Sequence, residues 1–468
     1  MRLKAIFSNS AGILFSRIFG FVRDLVMASV LGANIYSDIF AVAFKLPNLF
    51  RRIFGEGAFA QSFMPSFIAA RYKSIFAAKV FLYLLGIIVA ISLFVNLFPA
   101  FVTKLIAPGF SPSQIMLAAK YVAIQFWYLP LIFIVTFLGA LLQYKEHFAT
   151  TAFATVLLNI ALIVAMLLYK DEPKETILLA LSWGVIVGGL LQVALHLIVA
   201  YRFKMLKLLA IGFKSLKKKK DIVQEDTKRF FKNFLPAIWG NSTAQVMAFL
   251  DTWLASFLVA GSISYLYYAN RIFQLPLALF AIALSVAIFP SVAKKIKAND
   301  IKAALIEFRK GFWILIYLLS AATIGAILYS KEIIWLLFER GAFTRENTIE
   351  VAWVLQMYMI GLIPYGLSKL FNLWLFSNHL QNKAAKNATI SLIVYAIFAF
   401  ILIKPLGAMG LALAGSLSGF VGLWLSLKYF GFDKFLALLT KEKVFKFARN
   451  MIVFTIFLII IKVLWLHI

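Results

Sequence analysis

Apolar runs long enough to cross a bilayer recur along nearly the whole chain, and this feature decides the fold class. A spanning helix needs about 20 predominantly apolar residues. Read in order, the runs place spans near 6–31, 36–62, 80–103, 116–142, 148–169, 176–201, 233–259, 264–290, 311–330, 351–376, 387–403, 407–430 and 444–466. Lipid offers no partner to backbone N–H and C=O groups, so only helices and closed barrels can span it. The runs are too long for barrel strands and lack period-two alternation, which selects helices. With 63% hydrophobic residues and a mean hydropathy of +0.92, little mass remains for extramembrane domains. The expectation is an all-α polytopic membrane protein of about thirteen transmembrane helices.

The formal net charge of +28 would point to nucleic acid in a soluble chain. Here Lys and Arg gather in short loops between spans, so nucleic acid is not an expected partner and acidic membrane lipids are. Alternate loops carry the basic residues: Arg71, Lys73 and Lys79; Lys145; the block 202–232 with Lys217–Lys220; Lys294, Lys295 and Lys297; Lys383 and Lys386; and Lys428 to Arg449. The positive-inside rule then puts the N-terminus in the cytoplasm. The block 202–232 reads as a basic cytoplasmic linker. The chain has no cysteine, and its four histidines are scattered, so thiolate or His-built metal centres are not expected. The first apolar run is too long for a signal peptide and lacks a cleavage site.

Against this apolar background, the stretch Arg17 to Glu56 stands out. It reads RIFGFVRDLVMASVLGANIYSDIFAVAFKLPNLFRRIFGE. Two helices of spanning length carry Arg17, Arg23, Asp24, Asp38, Lys45, Arg51, Arg52 and Glu56 between them. A charge at the centre of a spanning helix costs about 2.5–3.5 kcal/mol on insertion scales. These side chains must therefore face one another or a wet cavity. Asp38, Lys45 and Arg52 recur every seven residues and share a face, with Asn48 and Glu56 close to it; Arg17, Gly20 and Asp24 form a similar stripe. Bases outnumber acids in the stretch, which implies an anionic ligand. Pro47 is expected to kink the second helix.

The basic linker is also a seam between repeats. MASVLG at Met27 pairs with LASFLVAG at Leu254, AFKLPNLF at Ala43 with RIFQLPLAL at Arg271, and FMPSF at Phe63 with IFPSV at Ile288, offset by about 225–229 residues. Six spans fill the offset, so the repeats are expected to be parallel. The domain reading is an N-lobe at 1–201, the linker at 202–232, a C-lobe at 233–430 and an accessory helix at 431–468, with a cationic cavity between the two six-helix repeats. Asp24 aligns with Asp251, and Lys45 with Gln274. Asn270, Arg271 and Gln274 form a second polar cluster, in the eighth span. Small-xxx-small pairs such as Gly184/Gly188 suit close helix packing. Lys369 suits either snorkelling or the cavity. No phosphate-binding loop, metal-spaced His/Glu pair or nucleophile elbow occurs, which favours a carrier over an enzyme.

SRIFGFVRD, SDIFAVAFKLPNLFRRIFGEGAFAQSFMPSF, GSISYLYYANRIFQLP, FPSVAKK and FERGAF resemble the signature segments of the MurJ (MviN) family of bacterial lipid II flippases, within the multidrug/oligosaccharidyl-lipid/polysaccharide exporter superfamily. The resemblance covers roughly residues 1–430. It implies two six-helix lobes around a central cavity, and a flippase moving undecaprenyl-pyrophosphate-linked peptidoglycan precursor from the cytoplasmic to the outer leaflet of the bacterial inner membrane. Cell-wall synthesis proteins are implied as partners. The family's cavity arginines map by motif onto Arg17, Arg23, Arg51, Arg52 and Arg271, and its acids onto Asp24 and Asp38. Arginine suits a pyrophosphate because it offers bidentate, charge-assisted donors.

Two departures from the family pattern stand out. The family usually has fourteen spans, with a groove for the lipid tail made by the last two. Asp251 matches the acid of a sodium site found in some members, but Tyr395 and Ala399 stand where its polar ligands are expected. Coupling to membrane potential, Na+ or H+ is left open, and no cofactor is expected. The rival readings are a flippase for another lipid-linked oligosaccharide and a non-transporting scaffold of cell-wall assembly.

Overall fold

The computed structural model describes residues 2–55, 58–241 and 243–466; for 2–10, 52–55, 58, 217–220, 239–241, 243–244 and 465–466 only the backbone is described. Glu56 therefore lies outside the described residues, as does the side chain of Arg52. The described residues form helices and connections, with no strand among them. Nine of these helices are long and apolar enough to cross a membrane. One of the nine, Gln381–Phe430, breaks at Gly407 (φ 55°, ψ −131°), where the sequence reading ends one span and begins the next. The protein is a multi-pass, all-α membrane protein.

The chain packs as two compact units, Met1–Ala260 with Arg340–Ala342, and Gly261–Glu339 with Phe343–Ile468. The first holds α1 (Arg2–Leu31), α2 (Ile35–Gly55), α3 (Ala58–Ala69), α4 (Lys73–Leu97), α5 (Pro99–Ile106), α6 (Pro112–Phe126), α7 (Tyr128–Tyr144), α8 (Ala149–Leu168), α9 (Lys174–Arg202), α10 (Met205–Lys219), α11 (Gln224–Asn241) and α12 (Thr243–Ala255). Helix α8 packs against α1 and α9, and α2 against α6 and α7. Phenylalanine supplies much of this unit's interior. Phe59, Phe63, Phe137 and Phe230 are fully buried, with ring centroids 5.0–6.3 Å apart along Phe59–Phe63, Phe63–Phe137 and Phe63–Phe230. Offset and edge-on rings at this spacing add to the gain from burial.

The block 202–232 is largely helical, although its lysines make it read as a linker. Met205 and Leu209 are buried where α10 lies on α4, and Gly212 follows one turn later. A Cβ at Gly212 would meet the Ser74 carbonyl at 2.0 Å. This i, i+4, i+7 stripe is one face of a helix; the lysines around it obscured the period. Helix α2 runs as one helix through Pro47.

The second unit holds α13 (Ser262–Pro276), a π-helical segment Leu277–Ile282, α14 (Ala283–Lys297), α15 (Ile301–Leu328), α16 (Ser330–Phe338), α17 (Arg345–Ile360), α18 (Leu362–Ser377), α19 (Gln381–Phe430), α20 (Phe432–Leu438) and α21 (Lys441–Leu466). The π segment begins directly after Pro276, within what reads as one regular span. Phe308, Phe371, Trp374 and Phe430 form its aromatic centre. Helix α21 packs along α15. The Tyr329 hydroxyl donates to the Leu458 carbonyl at 2.7 Å, and Lys462 pairs with Glu332 at 3.0 Å.

Candidate functional site

The charged stretch folds as α1, a short turn and α2. Asn34 organises the turn: its side-chain oxygen accepts from the Tyr36 N–H at 2.9 Å, and its amide donates to the Leu31 carbonyl at 2.6 Å. Its own N–H donates to Ser37 Oγ at 2.9 Å. Asp38 follows in the first turn of α2 and is 2% exposed. A carboxylate there is favoured by the positive end of the helix dipole.

On α1 the expected residues separate. Arg17 is exposed. Arg23 Nη2 lies 2.6 Å and Nε 3.1 Å from Asp24 Oδ1, and Asp24 is wholly buried. Arg23 Nη1 also donates to Asn159 Oδ1 at 3.2 Å, and Asn159 donates to the Ser16 carbonyl at 3.5 Å. Asn159 sits on α8 and is 3% exposed. A Cβ at Gly20 would approach Asn159 Nδ2 at 3.7 Å, so the Gly20 stripe faces α8. A guanidinium this deep is tolerable because a carboxylate and an amide oxygen meet it. Asn159 escaped the sequence reading, which counted the fifth span as apolar. The available signal was a lone Asn inside TVLLNIALIV.

On α2, Lys45 and Asn48 are half-buried. Arg51 donates to Asn48 Oδ1 through Nε at 3.2 Å and Nη2 at 3.1 Å, which joins two of the expected residues. In the second unit, Arg271 on α13 donates from Nη2 to the Tyr267 hydroxyl at 2.9 Å, and its guanidinium lies 5.0 Å from the Tyr267 ring centroid. Gln274, exposed, donates to Asn270 one turn before it. Tyr267 stands four residues before Arg271, one helical turn, and this spacing was its signal. Lys369 is exposed on α18. Asp251 is half-buried on α12, whereas Tyr395 and Ala399 are buried on α19. Among the described residues, no group of three His, Cys, Asp or Glu is placed to hold a metal ion.

Guanidinium groups fixed on helices, as those of Arg23 and Arg51 are, present directional donors, and this is chemistry for an anion such as a phosphate. The family model described as Lipid II flippase MurJ matches residues 27–468, a stretch that begins just after Asp24 and includes Asp38 through Arg271. A probable lipid II flippase MurJ of Helicobacter pylori (strain ATCC 700392 / 26695) is 48% identical over 426 residues, covering 89% of this chain and 92% of the relative. One from Aquifex aeolicus (strain VF5) is 32% identical over 415 residues, covering 87% of this chain and 79% of the relative. The fold is similar to a solved lipid II flippase MurJ in an inward closed conformation, with a TM-score of 0.78 at 24% identity over 97% of each chain. It is also similar to an inward-facing MATE family transporter of the MOP superfamily, with a TM-score of 0.67 at 13% identity over 93% of this chain and 98% of that one. The chain belongs to the MurJ family.

Proposed function

We propose that this protein is a lipid II flippase. It carries the undecaprenyl-pyrophosphate-linked peptidoglycan precursor from the cytoplasmic to the periplasmic leaflet of the bacterial inner membrane, with its N-terminus in the cytoplasm. The observation that carries this reading is the 48% identity to a probable lipid II flippase over nearly the whole chain. The chemistry of α1 and α2 supports it. The barrier to flipping is removal of a charged, sugar-bearing headgroup from water. Guanidinium groups in spanning helices lower that barrier by replacing water around the pyrophosphate. Arg17, Arg23, Arg51, Arg52 and Arg271 take this role; Asp24 and Asp38 hold the basic groups in place. Lys45, Asn48, Glu56, Asn270 and Gln274 give the cavity its polar lining for sugar and peptide. The polyprenyl tail stays in lipid while two lobes, 1–201 and 233–430, alternate the cavity's access. The protein acts as a transporter and catalyses no covalent step. Membrane potential, Na+ or H+ drives the cycle, with Asp251 the acid for a cation. Cell-wall synthesis proteins take up the product.

Expression in cells depleted of their own flippase tests this reading. The wild-type chain is expected to restore growth and deliver lipid II to the outer leaflet, where a membrane-impermeant enzyme can cleave it. Growth restored through another lipid-linked sugar, with lipid II still confined to the inner leaflet, would overturn it.

A further inference from the structure

A polar cavity opens where the segment between α10 and α11 folds back onto α4. Its volume is about 500 Å³, and ligand sites run from roughly 300 to 1,000 Å³. All its walls belong to the first compact unit. Helix α4 contributes Lys79 and Tyr83, one turn apart. Helix α11 contributes Gln224, Thr227, Lys228 and Phe231, whose i, i+3, i+4, i+7 spacing marks one helix face. Asp221 closes the cavity from the 3-10 turn Lys220–Val223.

The walls sort by chemistry. Lys79 is 6% exposed, and its Nζ lies 5.9 Å from the Tyr83 ring centroid. An ammonium sheltered from water attracts an anion more strongly than one in bulk solvent. Asp221, Gln224 and Lys228 are exposed at the same cavity. Phe231 lies edge-on to the fully buried Phe230, at 5.0 Å, which ties its wall to the aromatic core. Position then selects the ligand. Lys79 is the last charged residue before the uncharged run 80–103, so the cavity sits where lipid headgroups meet hydrocarbon. From Tyr83 an exposed stripe continues along α4 into that run, through Gly86, Ile87, Ala90, Phe94 and Leu97. A Cβ at Gly86 would meet nothing within 4 Å, so the stripe is open beside the cavity. A ligand with a polar head and an apolar chain matches both.

We propose that this cavity binds a bilayer phospholipid whose headgroup carries both a phosphate and a primary amine, such as phosphatidylethanolamine. Lys79 and Lys228 take the phosphate, and Asp221 takes the ammonium. An acyl chain lies along the α4 stripe. A purely anionic headgroup would bring like charge against Asp221. The bound lipid joins α4 to the start of α11 within one unit. The site shares no residue with the arginines of α1, α2 and α13, so it stands whether or not the transport reading does.

Native mass spectrometry of the full chain in detergent, with phosphatidylethanolamine or phosphatidylglycerol added and no lipid II present, tests the site. The wild-type chain is expected to retain phosphatidylethanolamine in preference to phosphatidylglycerol. Lys79→Gln is expected to weaken retention of phosphatidylethanolamine about tenfold or more, the scale of a lost hydrogen bond to a charged group. Lys228→Gln gives the same reading at an exposed position if Lys79→Gln does not fold. Asp221→Asn, also exposed, is expected to abolish the preference while phosphatidylglycerol still binds, a change that a merely structural role for Asp221 would not produce. Equal retention of the two lipids by the wild-type chain, or an unchanged preference in Asp221→Asn, would overturn the proposal. Inorganic phosphate is the soluble probe: it is expected to leave the lipid in place, and displacement of the lipid by phosphate alone would make this a site for a free anion and overturn the lipid assignment.

Discussion

Arg23 and Arg271 hold corresponding interest in the two units, yet their surroundings differ in kind. Arg23 on α1 meets a buried carboxylate at 2.6 Å and the amide of Asn159. Arg271 on α13 lies against the ring and hydroxyl of Tyr267. A carboxylate fixes a guanidinium by charge, at a high desolvation cost that only the intact pair offsets. A tyrosine contributes a neutral hydrogen bond and about 0.5–2 kcal/mol of cation–π attraction. The first arrangement is a rigid joint between α1 and α8. The second positions its arginine without a charge cancelled by that tyrosine.

Four substitutions sharpen or break this contrast. Arg23→Ala is expected to have the largest effect, because it strands Asp24 in the interior; breaking a buried pair costs about 3–5 kcal/mol. Thermal unfolding in detergent should show it, and Asp24→Asn added to Arg23→Ala should recover part of the loss. Equal damage from Arg271→Ala would erase the distinction. Asn159→Leu comes next, at about 0.6–1.7 kcal/mol, the range of hydrogen bonds between membrane helices. Tyr267→Phe keeps the ring and removes the hydroxyl; about 0.5–1.5 kcal/mol is expected, read in the same melt. Gly20→Ala should change the melt least, since its Cβ meets Asn159 at an ordinary 3.7 Å. A large loss there would mean that α1 and α8 pack more tightly than this geometry.

The sequence disclosed the apolar spans because hydropathy and length suffice to show them, and it disclosed the charged stripes because helical period is written in residue spacing. Other features depended on what packs against what. Asn159 was invisible as a partner until α8 lay on α1. The helix α10 was hidden because its buried stripe, Met205, Leu209 and Gly212, is short and surrounded by lysine. The π segment after Pro276 left no mark in hydropathy.

The central claim is that basic side chains on α1 and α2 handle an anionic, lipid-linked headgroup. Arg17 tests it most directly, because it is exposed and its removal should leave the fold intact. The measurement is outer-leaflet lipid II in flippase-depleted cells carrying Arg17→Gln at matched membrane expression. Precursor held in the inner leaflet, with an unchanged melting temperature, is the predicted result. Wild-type delivery by Arg17→Gln, and again by Arg17→Gln with Arg52→Gln, would contradict the claim.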